Sequence, residues 1–222
     1  MYSLTERTRP DILTAVCFCA KRVLSPTEED AKKLNRILGF LLRTQHQQLI
    51  LKTGNKLRLR AYVDASFGVY TDGKSVTGIV LMLGDATIYV KSSKQKIVTR
   101  SLTESELVGI SDALSQILWT REFLIRQGLT IGPAVVYQDN QSTIFLAKKG
   151  RSTSERSRHI KIRYFFVIEA KEIEVEYLPT AEMIADILTK PLHGSLFLKF
   201  AAKMTGTLQT QCSQGQLSTA QP

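Results

Sequence analysis

The sequence predicts an α/β fold: a mixed five-stranded sheet flanked by helices and preceded by a short helical segment. Three observations predict it. Three consecutive strand-like segments indicate an antiparallel meander, a long amphipathic helix follows them, and the two remaining strands each follow a helical stretch. With 222 residues, of which 43% are hydrophobic and 23% charged, the chain has room for one such domain with an appendage.

Apolar periodicity and turn signals place the elements along the chain. The first 50 or so residues are predicted to be helical, and Thr27 is predicted to cap a helix whose apolar stripe must bury against a partner. That stripe consists of Leu34, Ile37, Leu38, Leu41 and Leu42. Strands are predicted over 57–64, 76–83, 86–98, 134–137 and 174–178, and further helices over 103–127, 142–148, 159–171, 181–189 and 195–204.

This pattern divides the chain into three parts. Residues 1–52 form the helical segment and residues 55–204 form the α/β domain. Residues 205–222 contain no charged side chain and are rich in Gln, Ser and Thr, so they are predicted to be a disordered tail.

Composition excludes several classes of protein. No apolar stretch is long enough to span a membrane, and charged residues interrupt the region where a signal peptide would need its apolar core. Three cysteines (Cys17, Cys19 and Cys212) cannot form a disulfide framework and lack the paired spacing of a zinc site. We therefore expect a reducing, intracellular setting: the cytoplasm, a virus-like particle or the nucleus.

The excess of 30 basic over 20 acidic residues, a net charge of +10, favours a polyanionic partner. Much of this positive charge lies in two runs of basic residues, and either run alone could be an ordinary solvated face. Together they predict contacts to backbone phosphates. The first run is Lys91, Lys94, Lys96 and Arg100; the second is Lys148, Lys149, Arg151, Arg156, Arg158, Lys161 and Arg163, with His159 as either a phosphate contact or a structural residue.

Four carboxylates occupy positions where acids are unexpected. Glu106 falls on the apolar face of the long helix, whereas Glu104 lies off that face. Asp64 and Asp139 end two strands that read as central, and Asp186 lies beside the apolar face of a later helix. Brought to one sheet edge, these side chains would form an oxygen cage for Mg²⁺.

Each of these acids also has a simpler interpretation. Asp64 could start a turn toward Gly68, and the Asp139–Asn140 pair could cap the following helix. Glu106 could be a first-turn acid favoured by the helix dipole, and Asp186 could be a surface acid. None of these alternatives explains the set of four together.

Six motifs carry a family resemblance. They are Tyr62-Val-Asp64-Ala-Ser, Lys91-Ser-Ser-Lys-Gln-Lys96, Thr103-Glu-Ser-Glu106-Leu, Gln138-Asp-Asn-Gln-Ser142, Arg158-His-Ile-Lys-Ile-Arg-Tyr164 and Ala185-Asp-Ile-Leu-Thr-Lys-Pro-Leu192. In this order they resemble the ribonuclease H domain of copia-type LTR retrotransposon polyproteins, from about Leu57 to Met204. The segment that contains Thr8-Arg-Pro-Asp11 and extends to Thr44 resembles the link from that family's reverse transcriptase to its ribonuclease H.

The resemblance implies a ribonuclease H-like fold and hydrolysis of the RNA strand of RNA–DNA hybrids. It makes Asp64, Glu106, Asp139 and Asp186 the catalytic, metal-binding residues for two Mg²⁺ ions, with Mn²⁺ as a possible substitute. In that scheme one ion activates the attacking water and the other stabilises the leaving 3′ oxygen. Asp64 bridges both ions, Glu106 and Asp139 lie toward one, and Asp186 lies toward the other.

Three departures from related sequences qualify this expectation. Ser66 stands where many relatives have a second acid, and the loop Leu178-Pro-Thr-Ala-Glu182 lacks the histidine of cellular ribonucleases H. No Tyr-x-Asp-Asp motif occurs, so we expect no polymerase active site in this chain.

Three functional hypotheses remain at this stage. The leading one is a retroelement-derived ribonuclease H whose partners are an RNA–DNA hybrid and the upstream reverse transcriptase region, with no membrane. The alternative is an inactive or repurposed nucleic-acid-binding fragment. An integrase-type core is disfavoured, because its Glu comes late in the sequence, whereas here the Glu comes second.

Overall fold

The computed structural model of the chain describes residues 2–52, 54, 57–149 and 172–207. Its strands are β1 (Leu59–Ser66), β2 (Val76–Leu83), β3 (Ala86–Lys94), β4 (Ala134–Gln138) and β5 (Ile173–Tyr177). Its α-helices are α1 (Tyr2–Arg7), α2 (Leu13–Ala20), α3 (Glu28–Arg43), α4 (Leu102–Arg126), α5 (Gln141–Lys149) and α6 (Gly194–Thr205). Three described 3-10 helices span Pro10–Ile12, Thr180–Glu182 and Ile184–Leu188.

The five strands form one sheet in the order β3-β2-β1-β4-β5. β1, β2 and β3 pair antiparallel, whereas β4 pairs parallel to β1 and β5 pairs parallel to β4. The predicted mixed five-stranded sheet flanked by helices is therefore confirmed. β1 is the central strand, so the group at its carboxyl end lies in the middle of the sheet edge.

One face of the sheet is covered by α4. Its side chains Ile110, Leu114 and Ile117 are fully buried against β1 and β2. Gly109 lets the helix approach closely, because a Cβ there would lie only 3.3 Å from Val63. In the described part of the chain, no helix combines the length and the apolarity that crossing a membrane requires.

The opposite face is covered by α6, the 3-10 helix Ile184–Leu188 and α2. Leu13 and Cys17 of α2 lie in the same buried cluster as Met183 and Phe200. The helical segment and the sheet therefore share a core. The division of the chain between residues 52 and 55 stays a prediction.

Three predicted elements differ from the structure in type or extent. β1 runs from Leu59 to Ser66 rather than over 57–64, so Asp64 lies two residues before the end of the strand. The helix predicted over 181–189 is wrong: two short 3-10 helices replace it, because the backbone of Met183 (φ −73°, ψ 87°) leaves the helical region. β3 ends at Lys94 rather than at residue 98. Gln95 turns inward there, and its side chain amide donates to Thr77 Oγ1 at 2.9 Å and to the Ser105 carbonyl at 2.8 Å.

The helix α3 begins as predicted but packs differently. Thr27 and Asp30 form a reciprocal capping box at its start. The prediction that its whole apolar stripe is buried is wrong, since Leu34, Leu38 and Leu42 are 38%, 41% and 71% exposed. Only Ile37 of the stripe is buried, because α3 contacts the rest of the molecule along one edge beside Ile12 and Val16.

The carboxyl end of α6 is tied to the chain before the sheet. Thr205, which was predicted to begin the tail, is buried and closes the helix, and its carbonyl accepts a hydrogen bond from the Ile50 N–H at 2.8 Å. Residues 208–222 lie outside the described residues, as does the predicted helix 159–171. The disordered tail therefore stays a prediction.

A buried ion pair fixes the start of the helical segment. The Arg9 guanidinium donates to both carboxylate oxygens of Asp11, at 3.0 and 2.9 Å. It also donates to the Thr44 carbonyl and hydroxyl at 3.2 and 2.8 Å, and it lies over the Phe40 ring. The Arg-Pro-Asp sequence thus joins the first turns of the chain to the end of α3.

We expect Asp11→Asn to lower the free energy of unfolding by about 3–5 kcal/mol, because it leaves the buried Arg9 guanidinium without its carboxylate. Urea unfolding measures this change. The control is Glu122→Gln, which breaks the exposed Arg126–Glu122 pair on α4 and should cost less than about 1 kcal/mol. Equal losses of unfolding free energy in the two variants would show that the buried Arg9–Asp11 pair stabilises the fold no more than an exposed pair does.

Candidate metal centre

Asp64 lies near the carboxyl end of β1 and is 1% exposed. It pairs across the sheet with Gly78 of β2. A Cβ at Gly78 would lie 2.8 Å from Leu188 Cβ and 2.9 Å from the Ala185 carbonyl oxygen. The absence of a side chain at Gly78 therefore lets the 3-10 helix Ile184–Leu188 lie directly on the strand beside Asp64.

Glu106 reaches the same edge from the first turns of α4. The helix begins at a Ser101 cap, whose hydroxyl accepts from the Glu104 N–H at 3.2 Å. The Glu104 carboxylate folds back and accepts from the Arg100 N–H at 2.7 Å. Glu106, only 2% exposed, is therefore the glutamate that faces Asp64, as the helical phase predicts.

Asp139 follows β4 and is positioned by its neighbours. Asn140, not Asp139, caps α5, because its side chain oxygen accepts from the Thr143 N–H at 3.1 Å. The buried Gln138 accepts from the Asp139 N–H at 2.8 Å and donates to Glu106 Oε2 at 3.0 Å. Asp139 Oδ2 accepts from the Thr180 hydroxyl at 2.8 Å. The alternative that the Asp139–Asn140 pair caps the helix therefore holds for Asn140 alone. The Asp139 carboxylate takes no part in the cap and faces the sheet edge.

Asp186 lies in the 3-10 helix Ile184–Leu188 and is 3% exposed. The Lys190 ammonium lies between two acids, 3.1 Å from Asp186 Oδ1 and 3.3 Å from Asp64 Oδ1. The Thr189 hydroxyl donates to Asp64 Oδ2. Asp186 is thus buried beside Asp64, which rules out the surface-acid alternative.

Three of the four carboxylates can share one cation. Asp64, Glu106 and Asp139 each offer an oxygen, and these oxygens lie within 4.8 Å of one another. Asp186 is not part of that group and reaches Asp64 through Lys190. The all-oxygen donor set suits a hard divalent cation.

Burial and mutual repulsion raise the pKa values of two of these carboxyl groups. Burial, and then the charge of Asp64, raise the pKa of Glu106 to about 9. Burial and the same charge raise the pKa of Asp186 to about 7, although Lys190 opposes the shift. Buried carboxylates that repel one another in this way are stabilised when a cation is shared among them. The donor set therefore fits a divalent metal.

Among the residues that the structure describes, none of the predicted basic side chains forms an ion pair with these carboxylates. Lys91, Lys96, Arg100 and Lys148 are exposed on the surface. Lys94 forms an ion pair with Asp72 at 2.8 Å. The remaining predicted contacts, Arg151, Arg156, Arg158, His159, Lys161 and Arg163, lie outside the described residues, and Lys149 is described only as the last residue of α5. Their role in binding stays a prediction.

Four residues of the site were not singled out from the sequence. Gln138, Thr189 and Lys190 lie inside the quoted motifs, and the four-residue spacing of Asp186 and Lys190 is typical of a helical ion pair. Gly78 carries no such signal, because its importance depends on a contact with residues more than a hundred positions away.

The sequence matches segments of transposon polyproteins. It is 37% identical over 202 residues to the retrovirus-related Pol polyprotein from transposon RE1 of Arabidopsis thaliana, and 32% identical over 194 residues to that from transposon TNT 1-94 of Nicotiana tabacum. These alignments cover 89% and 86% of this chain but 14% of each relative. The chain therefore spans about a seventh of the length of these curated relatives. No protein-family model matches the chain.

Among solved structures, the chain is similar to LC11-RNase H1 isolated from compost. The TM-score is 0.46 at 14% sequence identity, with 60% of this chain and 93% of that chain covered. The prototype foamy virus protease-reverse transcriptase gives a TM-score of 0.43 at 13% identity, with 72% of this chain and 21% of that chain covered.

We expect Gly78→Ala to weaken divalent-cation binding and to destabilise the fold by about 1–3 kcal/mol, because the added methyl group pushes the 3-10 helix Ile184–Leu188 off β2. Thermal unfolding with and without added Mg²⁺ measures both effects. Gly132→Ala is the matched control, since nothing lies within 4 Å of a Cβ at Gly132. If both variants gain the same Mg²⁺-dependent stabilisation as the wild type, the close contact at Gly78 does not position the site.

The stability of the metal-free protein should depend on pH through Glu106. Its folded-state pKa of about 9 lies above that of an unfolded glutamate, so the folded protein binds the extra proton and loses stability as pH rises toward 9. In chelator, the wild type should therefore lose stability relative to Glu106→Gln between pH 5 and 9, by at most about 1.4 kcal/mol per pH unit. Urea unfolding of both proteins at these two pH values measures the difference. A constant difference would contradict the proposed crowding.

Proposed function

Because the chain is homologous to a segment of the Pol polyproteins of copia-type retrotransposons and has a ribonuclease H-like fold, we propose that it hydrolyses the RNA strand of RNA–DNA hybrids with Mg²⁺. The observation that carries the proposal is the convergence of Asp64, Glu106 and Asp139, with oxygens within 4.8 Å of one another, at the edge of the central strands. Nothing in an ordinary core requires three carboxylates there.

Each acid has a distinct part in this proposal. Asp64 is held by the Thr189 hydroxyl and the Lys190 ammonium, so it serves as the shared ligand between the two sides of the site. Glu106 and Asp139 bind on one side, both oriented by Gln138. Asp186 binds on the other side. Bound divalent cations supply the activation of water and the neutralisation of the scissile phosphate.

Lys190 gives the site a positive charge of its own. Although burial lowers it, the carboxylates of Asp64 and Asp186 together raise the pKa of Lys190, so this side chain stays an ammonium. It neutralises the two acids and keeps their oxygens near each other. We propose that this pairing holds the Asp186 side of the site in place until substrate and cations arrive.

The proposed substrate follows from charge rather than from base-reading groups. Lys91, Lys94, Lys96, Arg100 and the basic residues of 148–163 are proposed to contact backbone phosphates, and such contacts carry no sequence information. Selection of a hybrid depends on the 2′-hydroxyls of one strand and the groove shape of the duplex. Hybrid binding is therefore expected to weaken steeply with salt and to show little base preference.

Asp64→Asn and Glu106→Gln are each expected to reduce cleavage of a labelled RNA–DNA hybrid on the order of 10³-fold, because each removes a negative charge that holds the cations. Single-turnover cleavage with Mg²⁺ measures the loss. Glu104→Gln is the matched control, since Glu104 lies two residues before Glu106 and, among the described residues, its hydrogen bonds stabilise the start of α4.

The outcomes separate the candidate functions. Loss in the two site variants with near-normal cleavage by Glu104→Gln supports the carboxylate site. Unchanged cleavage by Asp64→Asn would contradict cation-dependent hydrolysis at this site. A wild type that binds the hybrid but never cuts it with Mg²⁺ or Mn²⁺ favours a nucleic-acid-binding fragment instead.

A further inference from the structure

Two lysines from distant parts of the chain meet at one tyrosine. Tyr70 lies in the loop between β1 and β2, and the ammonium groups of Lys21 and Lys94 each lie 4.3 Å from the centre of its ring. Lys21 also donates a hydrogen bond to the Tyr70 hydroxyl. The hydroxyl accepts this bond and donates to no acceptor among the described residues, so its proton can be donated to an anion.

The charge around Tyr70 is not balanced. Asp72 is the carboxylate of this group and lies 2.8 Å from the Lys94 ammonium and 3.7 Å from that of Lys74. Lys74 and Lys94 thus share one acid, and among the described residues Lys21 forms no ion pair. Partial burial lowers the pKa of Lys21, and the charge of Lys94 also lowers it, so the two ammonium groups repel each other. An anion placed between them removes that repulsion.

The fold holds Lys21 in this place. Lys21 follows the last residue of α2, whose Leu13 and Cys17 are buried in the core under the sheet. Thr14 of the same helix donates to the Ile187 carbonyl at 2.6 Å, next to Asp186. The position of Lys21 is therefore set by the same packing that positions Asp186.

The cluster lies on the same face of the sheet as Asp64. Asp64 pairs with Gly78, Gly78 pairs with Ser92, and Lys94 follows two residues later on the same side of β3. Two strand spacings and two residues of rise place the Lys94 backbone about 12 Å from that of Asp64. A duplex offers one phosphate per strand for about every 3.4 Å along its axis, so a duplex seated at Asp64 has phosphates in reach of Lys94.

We propose that Lys21, Tyr70 and Lys94 form a phosphate-binding subsite for the backbone of the nucleic acid that is cut at Asp64. The inference rests on the proposed function for its ligand, an RNA–DNA hybrid. It assigns a direct binding role to the helical segment, through Lys21, which lies outside the basic runs of the sequence. Three hydrogen-bond donors, two of them charged, lie around one partly exposed ring, and both lysines are exposed, as phosphate recognition requires.

The test measures hybrid binding by fluorescence anisotropy at several salt concentrations, with Mg²⁺ replaced by chelator so that no cleavage occurs. Lys21→Gln should weaken binding about eightfold at 0.1 M salt and lower the slope of log affinity against log salt by about 0.9, the loss of one phosphate contact. Tyr70→Phe, which keeps the ring and removes only the hydroxyl, should weaken binding by a smaller factor.

Lys32→Gln is the matched control. It removes the same charge from an exposed helix position, 3.6 Å from Glu29, and should leave affinity and slope unchanged. Wild-type affinity and slope in Lys21→Gln, or no hybrid binding by the wild type, would overturn the subsite. If the wild type never cuts the hybrid but Lys21→Gln still shows the reduced slope, the nuclease proposal is contradicted. The phosphate-binding subsite is then still supported.

Discussion

Repulsion among carboxylates, two of them buried and one half-buried, is the constraint around which this structure is arranged. Asp64, Glu106 and Asp139 bring their oxygens within 4.8 Å of one another at the edge of a tightly packed sheet. Such a group costs free energy in every folded molecule unless positive charge offsets it. The raised pKa of Glu106 is the sign of that cost. Polar contacts around the acids, above all those of Gln138, keep the acids in place despite this repulsion.

The two sides of the site depend on the two faces of the sheet. Glu106 comes from α4 on one face, where Gly109 allows the helix to approach Val63 closely. Asp186 comes from the opposite face, where Gly78 allows the 3-10 helix to lie on β2. Asp64 stands between them on the central strand. Close backbone packing on both faces is therefore what brings acids from separate elements to a single edge.

The helical segment before the sheet is part of this arrangement rather than an appendage to it. Its buried residues share a core with Phe200 and Met183, and Thr14 contacts the turn that carries Asp186. The Arg9–Asp11 pair joins the start of the segment to the end of α3. A change in the packing of α2 would therefore reach both the metal centre and the Lys21 side chain. This gives the segment a physical connection to the proposed chemistry.

Sequence by itself determined the sheet and the long helix, because strand alternation and helical phase are local properties. It also singled out four acids, and the structure brings the oxygens of three of them within 4.8 Å of one another. The phase of α4 alone separated Glu106 from Glu104. Only the tertiary structure decided that Asn140 takes the cap and frees Asp139, that Lys190 pairs with Asp64 and Asp186, and that most of the stripe on α3 stays exposed. It also decided the roles of Gly78 and Lys21. These features depend on contacts between residues far apart in the chain, and no local pattern records which surfaces will meet.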